Sequence, residues 1–140
     1  MKNAPRMFFA TAALFALSGM VWGIQMSASH DHSLSPAHGH LNLIGFVMMS
    51  IFGTYYALTP DAGQGRIAGL HYVLHTSTVL VLAPGIAFAI SGQTEVLAQI
   101  GSVLAVFSMA LFGFVVLKYG VGRTLNQGGL ADSTSSQSAE

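Results

Sequence analysis

Four long apolar stretches constrain the fold of this 140-residue chain more than any other feature. A helix needs roughly 20 predominantly apolar residues to cross the hydrocarbon core of a bilayer. The stretches that meet this length lie at about residues 7–26, 38–58, 67–90 and 96–117. Only 7% of the residues are charged, against about 25% in soluble domains. The sequence therefore predicts an all-α membrane protein, a bundle of four transmembrane helices within residues 1–123.

The positive charges predict how this bundle is oriented. The connections between the apolar stretches are short, so each helix is expected to run antiparallel to the one before it. All five basic residues then lie on one side of the membrane, which the positive-inside rule makes the cytoplasmic side. They are Lys2, Arg6, Arg66, Lys118 and Arg123. We expect a multi-pass protein of a bacterial inner membrane with both termini inside, and a polar, disordered cytoplasmic tail at residues 124–140.

The first apolar stretch has a second interpretation, because it follows basic residues as a cleaved signal peptide does. Its apolar run is longer than a typical signal core, and no A-x-A cleavage motif follows it. These two features favour a retained transmembrane helix.

Composition excludes several classes of function. The chain has no cysteine, which excludes disulfides, thiolate zinc sites and iron–sulfur clusters. Its net charge is zero and its basic residues are scattered, so nucleic acid is not an expected partner. Any metal or cofactor must be held by other side chains or by the backbone.

The six histidines are the candidate functional residues, because ionisable groups inside a membrane are costly and mark functional sites. They form an exterior-loop pair, a pair at the outer start of the second helix and a pair near the cytoplasmic start of the third. In that order they are His30 and His32, His38 and His40, and His71 and His75. The second helix is about 27 Å long beyond His40. His71 and His75 are therefore not expected to share a metal ion with His38 and His40.

The outer histidines have two interpretations. If both are helical, His38 and His40 point about 200° apart and serve different ligands. If Gly39 keeps this turn irregular, the outer histidines converge instead on one copper or zinc ion. The ligands of that alternative site are His30, Asp31, His32, His38 and His40.

The inner pair, His71 and His75, also allows two interpretations. Its i, i+4 spacing suits a metal pair. No third ligand is evident at that depth, and neighbouring hydroxyl groups favour internal hydrogen bonding. These neighbours are Tyr72, Thr76, Ser77 and Thr78.

Small residues recur at four-residue spacing, as in Gly19 with Gly23 and Gly101 with Ala105. This pattern lets helix backbones approach closely. It fits packing within one chain, and it also fits association between copies.

Two sequence blocks resemble the tenth and eleventh helices of the haem-copper oxidase catalytic subunit, in its nitric oxide reductase and C-type oxidase branch. The first is AHGHLNLIGFVMMSIFGTYYALTP at residues 37–60, and the second is GLHYVLHT at residues 69–76. The shared features are a His-x-His at the outer end of a helix, a Gly-aromatic pair five residues on, paired aromatics before a proline, and a His-aromatic opening the next helix. The resemblance covers about 40 residues.

The resemblance implies a b-type haem and a particular assembly. In that family the His-x-His supplies axial ligands to two haems, which gives His38 and His40 this role here, with Gly45 and Phe46 packing against the macrocycle. The family subunit contains three arcs of four helices. A four-helix chain therefore implies a homotrimer that rebuilds the twelve-helix ring, in which His40 of one copy and His38 of its neighbour bind one haem.

The sequence departs from that family in two respects. It has no adjacent His pair to hold the family's copper centre, so oxygen or nitric oxide reduction is not expected. It also has no Lys or Arg on the outer side to pair with haem propionates, where His30 and His32 are the available donors. The leading hypothesis is therefore haem binding or electron transfer with a respiratory partner. The alternatives are the copper or zinc protein and a cofactor-free accessory or assembly protein.

Overall fold

The computed structural model describes residues 3–122, and four helical spans in that range are long and apolar enough to cross a membrane. The first is α1, Ala4–Ser29, and the second runs continuously over Ser35–Leu58. A short helix, α4 (Pro60–Gln64), follows the second span. The third span is α5, Arg66–Ile90, and the fourth is α6, Val96–Tyr119. The prediction of an all-α chain with four spans is confirmed. Lys2, Arg123 and the tail 124–140 lie outside the described residues.

Each predicted stretch lies inside an observed helix. The observed spans have 24 to 26 residues, which corresponds to about 36 to 39 Å at 1.5 Å per residue and exceeds a hydrocarbon core of about 30 Å. Apolar composition identifies only the part of a helix that lies in hydrocarbon. The helices continue beyond it into polar residues such as Ser29 and Ser35.

The bundle has two ends, which we name by their residues. The His30 end carries the connections 30–34 and 91–95, and the Arg66 end carries the start of α1, residues 59–65 and the end of α6. α1 packs along the second span, while α5 and α6 form the other closely packed pair.

The hydrophobic core lies in the half of the bundle nearer the Arg66 end. Phe8, Phe52 and Tyr56 are its largest members and are almost completely buried. Phe8 stacks on Tyr56 with ring centroids 5.4 Å apart and meets the edge of Phe52 at 6.1 Å. The other members are small or aliphatic side chains and one more tyrosine: Ala4, Ala12, Met49, Tyr55, Ala62, Ala68 and Val115.

Small residues serve the close approach of helices within the chain. A Cβ on Gly101 would lie 2.6 Å from the Cα of Leu82, and one on Gly85 would lie 2.6 Å from the backbone nitrogen of Ala98. Both contacts join α5 to α6. Gly19 in α1 likewise leaves room for the side chain of Asn42 in the second span. The small-residue pattern is thus used in packing one chain.

The second span is not a uniform α-helix. It begins as α2, Ser35–His40, widens into a π-helical segment at Leu41–Met48, and continues as α3, Met49–Leu58. π-Helical turns are rare and occur frequently at functional sites. Here the segment directly follows His40, and its Gly45 is buried where a Cβ would lie 3.0 to 3.1 Å from Phe15 and Val79.

Candidate functional site

His38 faces α1 from the second span and is half-buried. Its Nε2 lies 3.0 Å from the carbonyl oxygen of Gly19, and its ring meets Trp22 edge-on at 6.0 Å. The side-chain amide nitrogen of Asn42 lies 3.1 Å from the same Nε2, so this nitrogen is engaged on one side by an acceptor in α1 and on the other by a donor in its own span. A Cβ on Gly23 would lie 3.3 Å from this nitrogen. The glycines of α1 therefore admit the imidazole between the two helices.

His40 occupies a different environment on the same helix. Its side chain is exposed, and its Nδ1 lies 2.7 Å from the carbonyl oxygen of Pro36, one helical turn earlier. Because a carbonyl oxygen only accepts, Nδ1 carries the proton of the neutral ring and donates to Pro36, which leaves the lone pair on Nε2. Within residues 3–122 no group is hydrogen-bonded to that Nε2. His40 thus has an Nε2 lone pair without a partner among the described residues, on the exposed side of its helix.

Three apolar grooves lie along the surface of the bundle. One of about 490 Å³ borders His38 and Asn42, between α1 and the second span. A second of about 350 Å³ lies beside Trp22, between α1, Leu41 and α5. A third, of about 650 Å³, lies between the second span and α6 and begins at Phe46. The first two belong to the His30 half, beyond the aromatic core of Phe8, Phe52 and Tyr56.

The connection at the His30 end holds the remaining outer candidates. His30 ends α1 with a left-handed backbone, φ 56°, and His32 is exposed. The backbone N–H of Ser33 donates to Asp31 Oδ1 at 2.9 Å. This hydrogen bond is the main reason that the pKa of Asp31 lies below its ordinary value, with a smaller contribution from His32. The observed contacts of Asp31 are those of a tight turn.

The outer candidates do not form a metal cluster in this conformation. Across the described residues, no three His, Cys, Asp or Glu side chains come close enough together to hold a metal ion. His38 and His40 are both helical and have different partners, Gly19 and Pro36. The copper or zinc site therefore stays a prediction that requires rearrangement of residues 30–34.

His71 is fully buried in the aromatic core of the Arg66 half. Its Nδ1 lies 2.9 Å from the hydroxyl of Tyr56. The ring of Phe52 is 4.5 Å away, and that of Phe112 stacks at 5.9 Å. Its Nε2 is buried without a hydrogen-bond partner among the described residues. No sequence pattern pairs His71 with Tyr56, which lies 15 residues earlier in the preceding span.

His75 connects three helices through both ring nitrogens. Its Nε2 lies 3.0 Å from the carbonyl oxygen of Ile44 in the π-helical segment, and its Nδ1 lies 2.8 Å from the hydroxyl of Ser108 in α6. Since Ile44 can only accept, Nε2 donates, and the Ser108 hydroxyl donates to Nδ1. His75 is therefore a neutral imidazole that donates one hydrogen bond and accepts another.

The inner pair matches the hydrogen-bonding interpretation, with partners other than those predicted. Tyr72 bonds Thr11 at 2.8 Å, and Thr78 bonds the carbonyl of Leu74. His75 also lies deeper than the predicted position near the membrane surface. It reaches Ile44, which lies in the half of the second span nearer the His30 end.

The two residues predicted to pack against haem have different positions. Gly45 is buried between Phe15 and Val79, where its observed role is helix packing. Phe46 is exposed and lines the groove between the second span and α6.

Comparisons with protein-family models, curated proteins and solved structures found no match for this chain. The resemblance to the haem-copper oxidase subunit thus stays a prediction, supported by the quoted residues alone.

Proposed function

We propose that this chain is a membrane protein that binds a b-type haem at its His30 end and uses it in electron transfer or haem binding. The observation that carries the proposal is the exposed Nε2 of His40, fixed by the hydrogen bond from Nδ1 to Pro36. Histidine is a common axial ligand of haem iron. A backbone carbonyl on the other ring nitrogen fixes the tautomer and the orientation of a ligating histidine and makes it more basic.

The face of the second span that carries His40 also exposes the apolar side chains of Leu43 and Val47, which suit a flat, mostly apolar macrocycle. The apolar grooves on the two sides of α1 border His38 and Trp22 rather than His40. When bound, haem supplies a one-electron redox centre. The chain's own contributions are a preset ligand and apolar walls, and the exposed His30 and His32 are the nearby donors for haem propionates.

The proposal includes an orientation and a location. The described basic residues Arg6, Arg66 and Lys118 all lie toward the Arg66 end. By the positive-inside rule this end faces the cytoplasm, so the haem lies near the exterior face of a bacterial inner membrane. A respiratory partner that exchanges electrons at that face fits this position.

An absorption spectrum of the detergent-purified protein tests the proposal. We expect a Soret band, sharp α and β bands after dithionite reduction, and a b-type pyridine haemochrome. His40→Ala should remove these bands, whereas the control variant His75→Gln, at a histidine bonded to Ile44 and Ser108, should keep them. A haem-free protein from haem-replete cells would contradict the proposal. Copper or zinc bound in a manner that depends on His30 and His32 would favour the exterior metal site instead.

A further inference from the structure

The outward direction of His40 is unusual for a membrane-spanning helix. It lies five residues beyond Ser35, about 7.5 Å along the helix axis, and so near the edge of the hydrocarbon core. Ionisable residues in membrane spans almost always face the bundle interior or an aqueous cavity. His40 instead faces away from its own bundle, with a lone pair that nothing in the described chain engages. Any group that contacts this nitrogen therefore comes from outside the single chain.

The second axial ligand of the haem must come from a histidine that is not already engaged. A six-coordinate b-type haem needs two axial ligands, and one chain presents one suitable nitrogen. His38 is the nearest other histidine in the sequence, but its Nε2 is engaged by the Gly19 carbonyl and the Asn42 amide, and its ring packs against Trp22. His30 and His32 are exposed in the connection at the His30 end, where the proposed function assigns them to the haem propionates, so a second axial imidazole held on a helix comes from a second copy.

We propose that two copies of this chain bind one haem between them and that each supplies Nε2 of His40 as an axial ligand. This inference rests on the proposed haem function and goes further by naming the second ligand and the partner. It differs from the arrangement that the family resemblance implies, in which His38 of a neighbouring copy is the second ligand. The difference follows from the inward hydrogen bond of His38.

Symmetry and surface chemistry support such a pair. When the same residue serves on both sides, the interface is two-fold symmetric and the same patch is buried on each copy. Both His40 residues then lie at the same depth, so the two copies share one orientation in the membrane. Below His40, the same span exposes a continuous apolar face that includes Leu43 (58% exposed), Val47 (39%) and Ile51 (48%). This face can pack against its symmetric counterpart without burying a charge.

The test compares haem stoichiometry and spin state in two variants. His38→Gln keeps an N–H donor for the Gly19 carbonyl and removes the imidazole. We expect wild type and His38→Gln to bind one haem per two chains with the same six-coordinate, low-spin spectrum, and native mass spectrometry should show a haem-bound dimer. His40→Ala should bind none.

A mixed assembly provides the matched control. Wild type and His40→Ala chains with different tags are co-expressed, and pairs that carry both tags are isolated. We expect these pairs to lose haem or to hold a five-coordinate, high-spin haem. A change to high spin in His38→Gln, or one haem per chain, would overturn the shared His40 arrangement while leaving the haem function in place. A wild-type protein without haem would overturn the proposed function itself.

Discussion

The two halves of the bundle place their histidines in opposite situations. In the Arg66 half, His71 and His75 are buried among aromatic rings and bonded to Tyr56, Ile44 and Ser108. In the His30 half, His40 is exposed and only one of its ring nitrogens is engaged. The same residue type thus holds helices together in one half and presents a coordinating atom in the other. Burial distinguishes the two roles, because His71 and His40 each have one engaged ring nitrogen and differ in that His71 is enclosed by the core.

The strongest test of this contrast is to remove one histidine from each half. His75→Ala leaves the Ile44 carbonyl and the Ser108 hydroxyl without partners. Each lost interhelical bond costs about 1 to 2 kcal/mol, so the free energy of unfolding should fall by about 2 to 4 kcal/mol. The matched variant His40→Ala should change the stability of the haem-free protein by less than about 0.5 kcal/mol. SDS titration in detergent micelles measures the free energy of unfolding of both variants. Equal losses of stability would show that the histidines of the two halves do not differ in their structural role.

Two glycines sharpen the contrast at the level of backbone packing. Gly45→Ala places a methyl group 3.0 to 3.1 Å from Phe15 and Val79. Overpacking of this kind costs about 1 to 3 kcal/mol. Gly39→Ala, between His38 and His40, has nothing within 4 Å, and alanine is favoured over glycine in a helix by about 0.5 to 1 kcal/mol.

Thermal unfolding in detergent measures the two glycine variants side by side. We expect Gly39→Ala to be neutral or stabilising and Gly45→Ala to be destabilising. If Gly45→Ala is tolerated as well as Gly39→Ala, the π-helical segment is not closely packed as the structure has it.

The pair formed by Tyr56 and His71 tests whether the buried cluster acts as a unit. Tyr56→Phe removes the hydroxyl partner of His71 Nδ1 and should cost about 1 kcal/mol. In a His71→Leu background the hydroxyl has no imidazole to bond, so the same change should cost less. A double-mutant cycle should therefore give a coupling of about 0.5 to 1.5 kcal/mol. A coupling near zero would show that the 2.9 Å contact contributes nothing to stability.

The smallest effect is expected in the exposed connection at the His30 end. Because the pKa of Asp31 is lowered in the folded protein, its carboxylate favours the folded turn above about pH 4 and loses this contribution as the pH falls below that value. Asp31→Asn should remove that pH dependence, with little change at pH 7 in stability or haem content. Thermal unfolding at pH 7 and at pH 3 measures it. If Asp31→Asn reduces bound copper or zinc, the exterior metal site is favoured.

The sequence predicted the spans well because apolar composition and length are local properties. All four predicted stretches lie within the observed helices, and the separation of His38 from His40 followed from helix geometry. The π-helical segment could not be predicted, because its composition, LNLIGFVM, is that of an ordinary apolar helix. The carbonyl oxygen of Ile44 in this segment accepts a hydrogen bond from His75, which lies 31 residues later in the chain.

The partners of the histidines were equally inaccessible to sequence reasoning. Tyr56 and Ser108 lie in other spans, and their meeting with His71 and His75 depends on helix rotation and depth. The carbonyls of Gly19 and Pro36 carry no side-chain signal at all. The direction in which His38 and His40 offer their nitrogens is therefore a result of the structure.

Haem titration of the haem-free protein, compared across single histidine variants, tests the central claim most directly. Soret absorbance is followed for wild type, His40→Ala, His71→Leu and His75→Gln, with helicity checked by circular dichroism. We predict that only His40→Ala loses binding while it keeps its helices. Full binding by His40→Ala, or loss of binding in folded His71→Leu or His75→Gln, would contradict the assignment of haem binding to the His30 half.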